Sequence, residues 1–308
     1  MTIMATARTV EIVFYLIYAL TLVVLWQQRR TEQLFQFITC SLLGITLELF
    51  SVNVFKTYHY NPDFLVNIGN AQALKACPLW VGLGWGLLMP LAIAGAKKLD
   101  RRPLVTGLIA YVIVIGWDFV WDVLAIRTAG GLWVWHGAPI NFAITIQNMY
   151  GIPWMNYLGY SGAIIPVALL TARHAQAAKN ATNGWQRLGF ALRDYLEAII
   201  SFIVIVALYA LVYHFVPLFA IVAFLVLFIG TLGYIARCLV KSRSNQWFKQ
   251  ADWAYLTEFG GSYLASVIVG CLLGVLPQHP WLFVVHVILL LMTLSLGFYR
   301  PAEIRTNN

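Results

Sequence analysis

Two aspartates four residues apart, Asp118 and Asp122, and one glutamate, Glu48, stand inside stretches that are otherwise apolar and aromatic. Residues i and i+4 share a helix face, so Asp118 and Asp122 point the same way. An acid at the bilayer centre costs about 2.5–3.5 kcal/mol on insertion scales, so these groups must face a protein interior or a polar cavity. Proton transfer is the chemistry open to them. Low dielectric favours a neutral carboxylic acid over a carboxylate, and neighbouring acids titrate as a unit, which makes such a group a proton donor. A hydrocarbon dissolved in the bilayer offers few handles except carbon-carbon double bonds. Protonating one gives a carbocation, which the faces of Trp, Tyr and Phe stabilise as they do other cations. Capture by water then gives a tertiary alcohol, and capture by a second double bond gives a ring.

The elements that must position these acids are membrane helices. The chain is 61% hydrophobic and 10% charged, with a mean hydropathy of +0.77, far more apolar than a soluble domain. Apolar windows long enough to cross a bilayer recur at 10–26, 34–55, 76–96, 104–126, 152–172, 195–215, 218–239, 254–276 and 281–299. The expected fold is an all-α, polytopic transmembrane bundle of about nine helices, in a multi-pass protein of the cell membrane. Lys and Arg concentrate in cytoplasmic loops, and alternate loops here collect sixteen of the twenty, from Arg29 and Arg30 to Arg300 and Arg305. Only Arg8, Lys56, Lys75 and Arg127 fall on the other side. This places the N-terminus outside and the C-terminus inside. Because the charge of +8 is spread over membrane loops, it reads as topology rather than as a nucleic-acid face.

Glu48 lies fourteen positions beyond Leu34, and Asp118 fourteen beyond Leu104. At about 1.5 Å per residue the two reach one depth in the outer half, with Asp122 a turn further out. Around this layer the sequence places polar and aromatic groups: Tyr58, His59 and Tyr60 in one outer loop, Trp80 after it, and Trp117 and Trp121 beside the aspartates. Trp133 and Trp135 follow in a second loop, then Trp154 and Asn156 at the next helix start. The 127–150 segment is too apolar to float in water and is expected to fold over the helices as a lid. Gly82 and Gly86 have the small-xxx-small spacing of close helix packing. Asp194, Glu197 and Glu258 sit near inner helix ends and read as structural, while His214 and His286 fall near outer ends. The four cysteines show no metal or redox spacing and read as small core residues. The chain divides into a five-helix catalytic half (1–172), a cytoplasmic connector (173–194) and a four-helix half (195–308).

The run Glu48, Tyr58-His-Tyr60, Pro78-Leu-Trp80, Gly84-Trp85, Asp118-x-x-x-Asp122, Leu132-Trp-Val-Trp135, Gly151-Ile-Pro-Trp154 and Asn156-Tyr-Leu-Gly-Tyr160 resembles the membrane carotenoid biosynthesis proteins that include the carotenoid hydratases. The likeness covers about residues 40–172. It departs at Val123, where that family commonly has Pro. The resemblance implies addition of water across a terminal double bond of an acyclic carotenoid end group, without a cofactor or metal. Glu48, Asp118 and Asp122 would then be catalytic, and the substrate a lipid-soluble isoprenoid.

Two other readings stay open. A membrane terpene or carotenoid cyclase would use the same acid and exclude water. A proton-coupled transporter would also carry intramembrane acids, although the internal repeats common in transporters are not visible.

Overall fold

In the computed structural model, which describes residues 3–241 and 251–299, nine helices among the described residues are long and apolar enough to cross a membrane. They are α1 (Ile3–Gln27), α2 (Thr31–Phe50), α3 (Leu79–Leu99), α4 (Pro103–Ala125), α5 (Trp154–Lys179), α6 (Gly184–Phe215), α7 (Phe219–Lys241), α8 (Trp253–Leu272) and α10 (Pro280–Phe298), α2 being continued by a π-helical turn at Ser51–Phe55. A one-turn α9 (Val275–Gln278) precedes the last. In hydrocarbon every backbone N–H and C=O must be satisfied within the chain, which a helix does by itself. The protein is a multi-pass helical membrane bundle.

Several boundaries differ from the sequence windows, each for a local reason. Residues 76–78 belong to a strand, and α3 starts only after Pro78; α5 likewise starts after Pro153. A proline disfavours helical backbone in the residue before it, so Cys77 and Ile152 stay extended. The eighth window stops at Leu272, where Gly274 takes a left-handed φ of 70°, a conformation glycine adopts without steric cost. The 173–194 connector consists mostly of the ends of α5 and α6, joined by a short turn at 180–183.

The arrangement follows burial. Apart from Asp118 and Asp122, helix α4 is apolar nearly all round, as suits a central helix, and it contacts α3, α5, α7, α8 and α10. Helix α1 packs on α8, and α2 lies along both α3 and α6, so helices from both halves of the chain interleave. Close approach of α2 and α3 depends on small residues: a Cβ at Gly86 would meet the Ser41 hydroxyl at 2.0 Å, and one at Gly44 would meet Trp85 Cβ at 2.4 Å.

One end of the bundle is basic. Asp252 pairs with Arg30 at 2.5 Å and Lys98 at 3.2 Å, which brings three separate connections together there. Arg243, Lys249, Arg300 and Arg305 lie outside the described residues. The opposite, loop end carries three two-stranded ribbons: β1 (Tyr58–Tyr60) with β4 (Trp133–Trp135), β2 (Asn67–Asn70) with β3 (Lys75–Pro78), and β5 (Asn148–Met149) with β6 (Ile152–Pro153). The first ribbon ties the α2–α3 and α4–α5 loops across the bundle. Arg127 pins the second loop, donating to the carbonyls of Val123, Asn141 and Tyr150 and lying 4.2 Å from the Phe142 ring. Within that loop Leu132 and Trp133 are buried, whereas Ile140, Phe142, Ile144 and Ile146 remain exposed.

Candidate active site

Glu48, Asp118 and Asp122 all line one cavity of about 770 Å³ in the half of the bundle nearest the ribbons. Each is buried, with 7%, 3% and 3% of its surface exposed. Glu48 reaches it from the last turn of α2, the aspartates from α4, and Asn156 and Tyr160 from the first turns of α5.

Side chains alternate between the two faces of a strand. Tyr58 and Tyr60 therefore share a face of β1, and both hydroxyls donate to Glu48 Oε2, that of Tyr60 at 2.7 Å. Trp85 Nε1 donates to Oε1 at 2.8 Å from α3, an approach that Gly44 leaves open. The π-helical turn brings the chain back over Glu48: its Ser51 carbonyl accepts the Lys56 and Thr57 amides, and Lys56 has a left-handed φ of 51°. Such turns occur often at functional sites. Burial first, then the adjacent Glu48, push the Tyr58 and Tyr60 hydroxyls well above the ordinary tyrosine range. Both consequently stay protonated and continue to donate at any physiological pH.

The aspartates form a second unit. Asp118 and Asp122 project from one face of α4 into the same cavity, whose lining Tyr160 shares. Asn156 Nδ2 donates to Asp122 Oδ2 at 2.5 Å. Carboxylates carry no donor, so a hydrogen bond between the two would take a proton on one of them. Between these units the walls are aromatic. Trp117 stacks on Trp121 with centroids 5.7 Å apart and is fixed by a 2.9 Å bond to Ser266, while Trp85 lies 4.7 Å from Tyr160. Trp135 and Trp133 meet Tyr58 and Tyr60 at 4.5 and 6.0 Å, and Trp80 completes the wall.

Two residues expected in the site lie elsewhere. His59 occupies the opposite face of β1 from the tyrosines and bonds through Nδ1 to His136 Nε2 at 2.8 Å, outside the cavity lining. Burial and the neighbouring His136 hold its ring below the ordinary histidine range. Trp154 precedes Asn156 by two positions, about 200° around a helix, and so turns toward Phe224 at 5.6 Å. Its indole N–H donates to the Thr145 carbonyl.

Conversely, Trp85, Tyr160, Tyr18, His136 and Phe202 line the cavity without having been assigned there from sequence. His214 reaches it, whereas His286 is buried against Tyr263. Glu258, expected near an inner helix end, is fully buried and accepts from Thr21 at 3.1 Å. Glu11, unremarked in the first window, accepts the Leu65 and Val66 amides and anchors the loop before β2.

The fold and the cavity define a class: a polytopic membrane protein with an acid layer inside an aromatic chamber. A profile of the carotenoid biosynthesis proteins matches residues 8–229, and the chain belongs to that family. The match takes in most of α1, all of α6 and about half of α7, well beyond the 40–172 likeness. No curated protein and no solved structure matches the chain. It is a membrane protein of carotenoid biosynthesis.

Proposed function

We propose that this protein hydrates a terminal C=C bond of an acyclic carotenoid or related isoprenoid. The observation that carries the reading is the Asp118–Asp122 pair, two buried carboxyl groups on one face of α4 that line an aromatic chamber. In the reaction a proton held by this pair passes to the less substituted alkene carbon, and the π electrons form the new C–H bond. The tertiary cation left behind sits against the faces of Trp117, Trp121 and Trp133. A water lone pair then forms the C–O bond, and the water's surplus proton returns to the aspartate pair. Alkene and water are thereby consumed one for one, and the pair is ready for another turnover.

Glu48 has a different part. With Tyr58, Tyr60 and Trp85 all donating to it, it fixes the chamber wall and holds the two tyrosine hydroxyls where they can orient the incoming water. Asn156 positions Asp122.

Expression in a host that accumulates an acyclic carotenoid such as lycopene, followed by mass analysis of the pigments, tests this. The expected result is a gain of one water per end group. An isomer of unchanged mass would point to cyclisation instead, and unchanged pigments together with proton-driven accumulation in vesicles would point to transport.

A further inference from the structure

A second cavity, of about 260 Å³, lies toward the basic end and is built from the same three helices, α2, α5 and α6, that form one side of the acid chamber. The linings are spaced alike on all three. On α2 the smaller cavity ends at Thr39 and the chamber begins at Leu47; on α5 the limits are Thr171 and Ala163; on α6 they are Asp194 and Phe202. Seven residues intervene in each case, which sets the two linings a little over two helical turns or about 12 Å apart. The cavities are therefore stacked along one seam. Where α2 meets α6 between them, the contact is a half-buried Thr46–Tyr195 hydroxyl pair at 2.9 Å.

The smaller cavity is not simply apolar. His174, 8% exposed, bonds through Nδ1 to Asp194 Oδ1 at 2.5 Å, and Glu32, Gln36, Thr39, Thr171 and Arg187 complete its polar lining. With Nδ1 committed to the carboxylate, the imidazole has Nε2 left for a ligand. From Glu48 to Gln36 is twelve positions, and from Asn156 to His174 eighteen, which correspond to about 18 and 27 Å along a helix. A ligand touching both ends must be long and apolar between its tips, nearly matching the ~30 Å hydrocarbon core.

We propose that the basic-end cavity receives the far end of the same polyene whose near end lies in the acid chamber, and that His174, held by Asp194, binds a hydroxyl there. This rests on the hydration reading above and extends it. A hydrocarbon tip leaves His174 Nε2 unpaired, whereas an end group that already carries a tertiary alcohol satisfies it. The product of one turnover, released and rebound end for end, is then the preferred substrate of the next. Two-ended hydration proceeds with little accumulation of the singly hydrated pigment.

The test compares two acyclic carotenoids of equal length, one apolar at both ends and one hydroxylated at a single end. Binding to the purified protein in lipid nanodiscs is read from the shift of polyene absorbance, and water addition is read separately by mass. Wild type is expected to bind the hydroxylated polyene about tenfold more tightly, the worth of one hydrogen bond. His174→Phe brings the two affinities together without weakening the apolar one, and the singly hydrated product accumulates. Asp194→Asn, a gentler change that keeps the side-chain shape, narrows the ratio should His174→Phe not fold. Equal affinities in wild type, or equal loss of both ligands in a folded variant, overturn the proposal. Water addition with equal affinities defeats only this inference; a binding preference without water addition defeats only the hydration reading.

Discussion

Replacing Asp118 by Asn is expected to lower the rate of water addition roughly a thousandfold, within the range for loss of a general acid, while the protein still inserts and purifies normally. The asymmetry comes from what an amide keeps and loses. It matches the carboxyl group in size and polarity, so the packing at this position and the bond from Asn156 to Asp122 survive. What disappears is the acidic proton. Asp122→Asn should cost about as much, and the double variant hardly more, because groups acting as one unit do not contribute additively. Rates measured on the three variants in nanodiscs check this, with thermal unfolding as the control for fold. A single variant that kept near-normal turnover would remove that residue from the mechanism.

Glu48→Ala is expected to act on stability before it acts on rate. Removing the carboxylate strands the hydroxyls of Tyr58 and Tyr60 and the indole N–H of Trp85 in a buried wall. Each unsatisfied donor costs about 1–3 kcal/mol. Three together approach the 5–15 kcal/mol or so that holds a typical domain folded. The variant should therefore accumulate poorly and unfold at a markedly lower temperature. Removing the donors along with the acceptor should be milder: Glu48→Leu combined with Tyr58→Phe and Tyr60→Phe should recover much of the lost stability, though not activity. Yield and thermal midpoint of the purified proteins provide the comparison, and an unimpaired Glu48→Ala protein would contradict the role assigned to this network.

Much of this was legible in the sequence, and the reasons are physical. Bilayer thickness fixes helix length, so the nine spans stand out as apolar windows. Helical rise fixes depth, so Glu48 and Asp118, each fourteen positions into its apolar window, both reach one cavity, and i,i+4 spacing puts Asp122 on the same face. Less visible was whatever depends on pairing between distant segments. Nothing local announces that Tyr58–Tyr60 will pair with Trp133–Trp135, although two-residue alternation alone separates His59 from its tyrosine neighbours. Likewise, the angular offset between Trp154 and Asn156 follows from helix geometry once Pro153 is seen to mark the start of α5. Trp85 as a partner of Glu48 was not readable, because it depends on the α2–α3 crossing at Gly44. The stacked cavity at His174 needs three helices in register, and seven of its twelve lining residues lie in the 173–194 segment expected to be a connector.

The proton on the aspartate pair is the centre of this account, and its transfer to carbon can be followed directly. Purified protein turned over in D₂O should yield a hydrated carotenoid with one carbon-bound, non-exchangeable deuterium per newly hydrated end, and Asp118→Asn should yield almost none. A product that gained its hydroxyl with no deuterium on carbon would show that the alkene was not protonated from the aspartate pair.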